Sequence, residues 1–117
     1  MSEANYKEER PWGWFEILFE EAGLKVKRIM VKPEKRLSLQ SHERRAENWV
    51  VIRGRALATI GEKTYPLEPH QAIFIPEKSK HRMENPGREE MVFIEVQTGS
   101  YLGEDDITRY QDDFDRI

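Results

Sequence analysis

Four side chains of this sequence have the chemistry of metal ligands: Gln40, His42, Glu47 and His81. Gln40 and His42 are two residues apart at the end of a strand-like segment, and such residues point to the same face of a strand. Glu47 precedes an apolar segment, and His81 follows Pro76 by five residues. One amide oxygen, two imidazoles and one carboxylate can together bind a divalent cation. Imidazole with oxygen ligands suits Zn, Mn, Fe, Co or Ni, and the sequence does not choose among these metals.

The elements that must position these side chains are short strands separated by turns. The strand-like segments are 12–19, 24–32, 37–40, 49–52, 57–60, 72–75, 81–84 and 91–97. A hairpin is predicted at Gly61-Glu62-Lys63, and Asn85-Pro86-Gly87 is a strong turn signal. Many short strands spaced by about ten residues, with no long amphipathic helix, predict an all-β barrel or sandwich.

The second of these strands has an apolar pattern that changes phase. Its first apolar positions are Leu24 and Val26, and its later ones are Ile29 and Val31. Because residues on one face of a strand are two apart, a change from even to odd positions requires an extra residue or a bend. The pattern therefore predicts a β-bulge near Arg28.

The length and composition are those of one small domain. The chain has 117 residues, of which 38% are hydrophobic and 35% are charged, so it can bury a core of modest size. Residues 1–10 are polar and charged and are predicted to form a flexible N-terminal arm, which leaves residues 11–117 as a single domain. The acidic C-terminal segment carries Ile107, Tyr110 and Phe114, and this pattern predicts a short C-terminal helix against the barrel.

The composition excludes several classes of protein. With 19 Lys and Arg against 22 Asp and Glu, the formal net charge is -3, whereas a nucleic-acid binder normally carries a basic face. Cysteine is absent, which excludes disulfides, thiol catalysis and thiolate metal sites. No apolar run approaches the roughly 20 residues of a membrane span, and the polar start has no apolar signal core. We therefore expect a soluble cytoplasmic protein that binds neither nucleic acid nor membrane.

The spacing of the candidate ligands resembles the two metal motifs of the cupin family. The first motif matches Gln40, His42, Glu47 and Gly54, with Gln in the slot of the first His, and the second matches Pro76, His81 and Asn85. Three positions where these motifs usually carry Gly hold larger residues, namely Glu34, His70 and Lys78. The resemblance implies an all-β cupin barrel, which is a double-stranded β-helix of the jelly-roll type.

Nearly the whole chain is similar to a narrower family, the type II mannose-6-phosphate isomerase cupin. That domain also forms the C-terminal part of bifunctional mannose-1-phosphate guanylyltransferase/mannose-6-phosphate isomerases. The stretches that carry the resemblance include Arg10-Pro11-Trp12-Gly13, Arg36-Leu37-Ser38-Leu39-Gln40-Ser41-His42, Arg45-Ala46-Glu47-Asn48-Trp49-Val50-Val51 and Tyr101-Leu102-Gly103-Glu104-Asp105-Asp106-Ile107. The closing block is highly specific.

The resemblance implies an aldose–ketose isomerase that interconverts mannose 6-phosphate and fructose 6-phosphate in mannose and polysaccharide-precursor metabolism. It implies a sugar-phosphate substrate and one divalent metal ion (Zn, Mn, Co, Ni or Fe). The ligands of that ion would be Gln40, His42, Glu47 and His81. The reaction moves a proton between C1 and C2 through an enediol or enediolate, with the metal as a Lewis acid.

Two further roles must be filled in such a reaction. A base must reach the carbon-bound proton. The candidates that could face the pocket are Lys27, Glu84 and Glu95. The phosphate needs a cation, and an arginine offers it a planar bidentate fork. Arg109, in the specific closing block, is the first candidate, followed by Arg28 and Arg45.

Other functions stay open from the sequence. Glu43, Arg44 and Asn48 replace histidines that are common in the family, which favours a non-catalytic cupin that binds metal or sugar phosphate, or an accessory subunit of a separate guanylyltransferase. An iron dioxygenase is a third alternative, because cupins also host that chemistry. The nucleotidyltransferase domain is missing, so this chain is not expected to make a nucleotide sugar by itself. A homodimer is expected, because the open aromatic segment 12–19 could swap between subunits.

Overall fold

The computed structural model describes residues 6–114, and this range folds into eleven strands. Their bounds are β1 Tyr6–Arg10, β2 Gly13–Glu21, β3 Leu24–Val31, β4 Leu39–Ser41, β5 Arg45–Arg53, β6 Ala56–Ile60, β7 Lys63–Leu67, β8 Ala72–Ile75, β9 His81–Glu84, β10 Met91–Gly99 and β11 Thr108–Gln111. The all-β prediction is confirmed for this range. No helix that is long and apolar enough to cross a membrane occurs in the same residues.

The strands form two antiparallel sheets that face each other. The six-stranded sheet has the order β1-β2-β3-β10-β5-β8, and the five-stranded sheet has the order β11-β4-β9-β6-β7. The predicted hairpin is β6–β7, in which Ile60 pairs with Lys63. Buried residues from both sheets, such as Phe93 and Met83, belong to one core cluster. The interior between the sheets therefore holds both the core and the candidate site.

This interior is apolar at one end and charged at the other. On three neighbouring strands the buried apolar residues are Ile29 and Val31 of β3, Phe93 and Met91 of β10, and Trp49 and Val51 of β5. The next inward positions of the same strands hold buried polar residues, namely Lys27 and Lys25, Glu95 and Gln97, and Glu47 and Arg45. Burial of the apolar end stabilises the fold, whereas burial of unpaired charge at the other end would cost stability. The buried charged residues at this end are therefore candidates for a functional role.

Strand β3 corrects the prediction of a bulge near Arg28. Four inward positions of this strand are buried: Lys25, Lys27, Ile29 and Val31. Arg28 is exposed on the other face, and β3 pairs with β10 without a shift of register. The irregularity lies instead in β2, between Ile17 and Phe19. The apolar residues move from even to odd positions without a bulge, because the inward positions at the start of the strand hold Lys25 and Lys27, and Leu24 and Val26 lie on the other face.

Both chain ends also differ from the predictions. The C-terminal helix is not found, because Thr108–Gln111 forms β11 and pairs with β4. Residues 6–10 of the predicted arm form β1, which pairs with β2. Residues 1–5 and 115–117 lie outside the described residues. Because β2 lies between β1 and β3, its aromatic segment is not an open edge, and the homodimer stays a prediction without that support.

Three loop positions hold the backbone in a region that favours glycine. Glu34, His70 and Lys78 have φ values of 61°, 76° and 68°, which lie in the left-handed region. These are the positions at which the cupin motifs usually carry Gly. The turns therefore keep the backbone geometry of the motif. Each of these three residues lowers the stability of the fold by roughly 1 kcal/mol relative to a residue without a Cβ in this conformation.

Candidate metal centre and substrate cavity

The charged end of the interior opens into a cavity of about 90 Å³. Seven of the sequence-predicted site residues line it: Lys27, Gln40, His42, Arg45, Glu47, Glu95 and Arg109. They come from both sheets, so the cavity forms only when the two sheets pack together. An apolar wall of Phe15 and Ile29 separates this cavity from the core.

His42, Glu47 and His81 form a group that could hold a metal ion. One ligand atom from each lies within 4.8 Å of the others, and all three residues are buried. The distances are 3.4 Å from His42 Nε2 to Glu47 Oε2 and 3.8 Å from His81 Nε2 to Glu47 Oε1. Gln40, the fourth predicted ligand, is the register partner of His81 and is half-buried at the cavity wall.

Backbone carbonyls orient both imidazoles. His42 Nδ1 lies 2.6 Å from the Asp106 carbonyl oxygen, and His81 Nδ1 lies 3.1 Å from that of Ser79. Since each Nδ1–H donates to a carbonyl, each Nε2 keeps its lone pair for the cavity. Burial lowers the pKa of His42 and of His81 to about 4, with the Arg45 charge as the second cause for His42. Both rings are therefore neutral at pH 7, as metal ligands must be.

Arg45 covers two of these metal donors. Its NH2 group donates to His42 Nε2 at 3.0 Å, and its Nε donates to Glu47 Oε2 at 2.9 Å. Two neutral imidazoles with a carboxylate are a donor set that suits Zn and other divalent transition metals, so the residues fit such an ion. Metal binding requires that Arg45 give up its bonds to these donors.

Glu95 lies beside Glu47 and is held by two side-chain donors. The Trp49 indole Nε1 donates to Glu47 Oε1 at 2.8 Å and to Glu95 Oε1 at 3.1 Å. Gln97 Nε2 donates to the other Glu95 oxygen at 2.7 Å. Burial, reinforced by the charge of Glu47, raises the pKa of Glu95 to about 7. Two carboxylates thus share one buried donor in the cavity.

Lys27 and Arg109 supply positive charge from opposite sheets. Lys27 Nζ lies 4.4 Å from the centroid of the Phe15 ring and 3.3 Å from both carboxylate oxygens of Glu104. Arg109 on β11 is the register partner of Gln40. Its Nε is buried and has no hydrogen-bond partner within the described part of the chain. Both cations are placed to meet a polar ligand in the cavity.

Three predicted site residues do not line the cavity: His81, Arg28 and Glu84. His81 belongs to the candidate metal group beside the cavity, whereas the other two lie away from it. Arg28 is exposed and pairs with Glu16 at 2.6 Å. Glu84 is on the opposite face of β9 from His81 and lies 3.9 Å from Arg36. Neither lines the cavity, because strand alternation points both side chains outward.

Sequence reasoning did not identify three residues of this end of the molecule: Lys25, Gln97 and Glu104. Lys25 and Lys27 are two apart on one strand, and this spacing was a usable signal of two inward cations. Gln97 has the same relation to Glu95 on β10. Glu104 belongs to the acidic C-terminal segment for which the pattern predicts a helix, and one carboxylate in such a segment is not a signal of a site.

The closest functional information comes from sequence relatives. A family model described as mannose-6-phosphate isomerase C-terminal matches residues 2–112. The alginate biosynthesis protein AlgA of Pseudomonas aeruginosa is 49% identical over 107 residues, which cover 92% of this chain and 22% of that protein. The mannose-1-phosphate guanylyltransferase of Klebsiella pneumoniae is 43% identical over 107 residues, with 92% and 23% covered. The chain therefore spans less than a quarter of the length of these relatives.

Solved structures share the fold. Rru_A2000 of Rhodospirillum rubrum, a cupin-2 domain, matches with a TM-score of 0.68 at 24% identity over 87% of this chain and 75% of that chain. The capsular polysaccharide assembling protein CapF of Staphylococcus aureus matches with a TM-score of 0.80 at 17% identity over 94% and 35%. These likenesses show the cupin fold alone. The family model over residues 2–112 shows by itself that the chain belongs to the mannose-6-phosphate isomerase C-terminal family, and the fold of this member is that of a cupin.

Proposed function

We propose that this chain is a metal-dependent aldose–ketose isomerase that interconverts mannose 6-phosphate and fructose 6-phosphate for polysaccharide-precursor metabolism. The description of the family and the alginate biosynthesis relative support the substrate and the metabolic role. The observation that carries the proposal is one cavity lined by His42 and Glu47, which form a possible metal group with the adjoining His81, by a buried carboxylate, Glu95, and by the cations Lys27, Arg45 and Arg109.

The metal ligands in this proposal are His42, Glu47 and His81, with Gln40 beside them. A bound divalent ion would act as a Lewis acid on the sugar oxygens at C1 and C2 and would stabilise the negative charge that develops there. With a metal on His42 Nε2, Arg45 would give up its bond to this atom, and its guanidinium would be available to the substrate.

Glu95 is the best placed of the three candidate bases. Its carboxylate lies in the cavity beside Glu47, and donors from Trp49 and Gln97 fix its two oxygens. A Glu95 oxygen would accept the proton from C2 of open-chain mannose 6-phosphate and return it to C1, while the hydroxyl proton of O2 passes to O1. The reverse reaction would run through the same atoms. Burial of Glu95 limits exchange of that proton with water.

The other two candidates suit this role less well. Glu84 is outside the cavity, so its carboxylate does not reach a ligand there. Lys27 is ion-paired with Glu104 at the cavity mouth, which suits it to bind an anion rather than to accept a proton.

A non-catalytic cupin that binds sugar phosphate is the second candidate function. It is favoured by Arg45, which already satisfies His42 Nε2 and Glu47 Oε2 with hydrogen bonds. The replaced histidines give it no support, because the side chains at those positions are exposed and do not line the cavity. They are Glu43, Arg44 and Asn48.

The test is turnover of mannose 6-phosphate in a coupled assay, with the chain loaded separately with Zn, Mn, Co, Ni or Fe. We expect activity that a chelator abolishes and that added metal restores. Glu95→Gln should lower kcat by at least about a hundredfold, since it removes the base. Glu84→Gln is the matched control and should keep wild-type activity.

Two results would decide against the isomerase. Sugar-phosphate binding by calorimetry without conversion, in every metal-loaded sample, would favour the non-catalytic cupin. Oxygen consumption by the iron-loaded chain would favour a dioxygenase.

A further inference from the structure

Three buried cations converge on the Glu104 carboxylate, and two of them, Lys27 and Arg45, line the cavity. Lys25 and Lys27 on β3 are 6% and 5% exposed, and Arg45 on β5 is 6% exposed. Two lysines that enter the interior from one strand are costly, because desolvation of each ammonium must be offset by partners. Such an arrangement points to a ligand of opposite charge.

The protein supplies only a partial counter-charge to these cations. The Glu104 carboxylate lies 3.3 Å from Lys27 Nζ, 3.7 Å from Lys25 Nζ and 3.7 Å from Arg45 NH1. Charge-assisted hydrogen bonds are normally about 2.7–2.9 Å long. Lys25 also has Glu20 at 3.5 Å and the Leu102 carbonyl oxygen at 3.1 Å. Arg45 has a second carboxylate partner, Glu47, at 2.9 Å. Among the described residues, Glu104 is the one carboxylate near all three cations, and it lies 3.3–3.7 Å from each of them.

Glu104 itself is weakly held. Its side chain is 59% exposed, and it lies in the loop between β10 and β11. Desolvation at the cavity mouth raises its pKa, but Lys27, Arg45 and Lys25 outweigh this effect and hold the pKa below its usual range. The loop is anchored elsewhere, at Asp106, whose carboxylate accepts the backbone N–H groups of residues 43 and 44. The Glu104 side chain can thus leave without loss of this anchor.

We propose that Lys25, Lys27 and Arg45 form a binding site for a phosphate group, and that the Glu104 carboxylate occupies this site in the free protein and is displaced when phosphate binds. This assignment rests on the proposed function for the identity of the ligand as a sugar phosphate. A phosphate monoester carries about −1.5 to −2 charge at pH 7 and offers three acceptor oxygens. It matches three cations better than a single carboxylate does.

The position of this site is consistent with chemistry at the metal centre. Arg45 faces Glu104 through NH1 and bonds to His42 through NH2, so one guanidinium links the two sites. Lys27 is the register partner of Glu95. A sugar whose phosphate replaces the Glu104 carboxylate would therefore extend towards Glu95 and His42. No hydrogen bond or ion pair joins Arg109 to Glu104 in residues 6–114, and we assign Arg109, whose Nε has no partner there, to the sugar hydroxyls.

The test is calorimetry of the full chain with inorganic phosphate and, in parallel, with mannose 6-phosphate, at low ionic strength. Glu104→Gln should bind both ligands about three- to tenfold more tightly, because the competing charge is removed. Lys27→Met should bind both at least about tenfold more weakly, and Lys25→Met serves as a second variant if the first does not fold. Glu43→Gln makes the same chemical change at an exposed position near the cavity and should stay within about twofold of wild type.

An unchanged or weaker phosphate affinity in Glu104→Gln would overturn the proposal, as would undetectable phosphate binding in both wild type and Glu104→Gln. Tighter binding of mannose 6-phosphate alone would also overturn it, since the site would then recognise the sugar. Tighter binding of both ligands without isomerase turnover would support this site and contradict the proposed function instead.

Discussion

Lys27 and Glu95 are register partners on β3 and β10, at the level where the interior changes from apolar to charged. The next row towards the core pairs Ile29 with Phe93. The same strands therefore build the core and the site. Because the charged rows stabilise the fold less than apolar rows would, the apolar end must hold the barrel together.

Trp49 lies at this boundary, and we predict that Trp49→Phe disturbs both carboxylates. The phenyl ring keeps most of the packing on Phe93 but removes the N–H that both Glu47 and Glu95 accept. Loss of this buried donor should cost about 1–3 kcal/mol in the free energy of unfolding. Metal affinity should fall about 10–100-fold, as for other groups that orient a ligand.

Urea denaturation and metal titration measure the two effects. Trp14→Phe is the matched control, because Trp14 is half-buried on the outer face of β2 and its ring contacts Lys7. If both variants behave alike, Trp49 acts only as a packing residue.

The candidate metal ligands give a second prediction, for which the chain offers its own control. It has three histidines, of which His42 and His81 are in the candidate centre and His70 is in an exposed turn. Purified protein should bind one divalent ion per chain. His42→Ala and His81→Ala should each weaken binding by at least about a hundredfold, because one of few ligands is lost. His70→Ala should bind metal like wild type in elemental analysis and titration, and metal retained by the His42 variant would place the ion elsewhere.

Arg45 gives a third prediction, in which a substitution strengthens metal binding instead of weakening it. Arg45→Gln removes a positive charge that lies 3.0 Å from His42 Nε2 and 2.9 Å from Glu47 Oε2. Since a divalent ion must otherwise displace this guanidinium, metal affinity should rise by about tenfold. Competition titration with a chromogenic chelator measures it. A weaker metal affinity in this variant would show that Arg45 supports the ligands rather than competing with the ion.

Much of this fold was predictable from the sequence, since turn residues and short apolar segments mark most of the strands. The inward face of the first half of β3 was not predictable. A sequence pattern identifies inward positions by their apolar residues, and in β3 two inward positions hold Lys25 and Lys27 instead. For the same reason Glu84 and Glu95 could not be separated as bases until the strand faces were known. The spacing of Ile107, Tyr110 and Phe114 is that of one helix face, and it does not match the alternation of a strand.

Tertiary pairing decided the C-terminal segment. Strand β4 pairs with β9 through Gln40 and His81, and its other edge would leave backbone groups unpaired. Strand β11 satisfies these groups and brings Arg109 opposite Gln40. The local sequence of residues 103–114 does not show that β4 has an edge to be paired. The spacing of the candidate ligands His42, Glu47 and His81, by contrast, follows from the cupin fold and could be recognised in the sequence.

The strained turns give a fourth prediction. His70 has a φ of 76°, so His70→Gly should relieve steric strain and raise the free energy of unfolding by about 0.5–1 kcal/mol, after the added entropy of glycine in the unfolded chain. Glu34→Gly and Lys78→Gly should act in the same direction. His70→Ala keeps a Cβ and should bring no gain. Thermal unfolding followed by circular dichroism measures the series, and equal melting temperatures for the Gly and Ala variants would show that the turns are not strained.

The buried titratable groups give a fifth prediction, on the stability of the metal-free protein. Burial lowers the pKa of His42 and His81 from 6.5 to about 4. Between pH 4 and 6.5 these two histidines are protonated in the unfolded chain but neutral in the folded protein. The free energy of unfolding therefore decreases as the pH falls below 6.5. Burial raises the pKa of Glu95 from 4.5 to about 7, so this group acts in the opposite direction and stabilises the folded state as the pH falls.

These opposing effects leave a net difference of one proton between about pH 4.5 and 6.5, so these groups should lower the free energy of unfolding by about 1.4 kcal/mol for each unit of pH decrease. Glu95→Gln removes the opposing group and should roughly double that slope. His81→Gln should bring it close to zero, whereas His70→Gln should leave it unchanged. Urea denaturation at stepped pH with a chelator present measures the slopes. A slope that is the same in all four proteins would mean that His81 and Glu95 titrate in the folded state as they do in the unfolded chain.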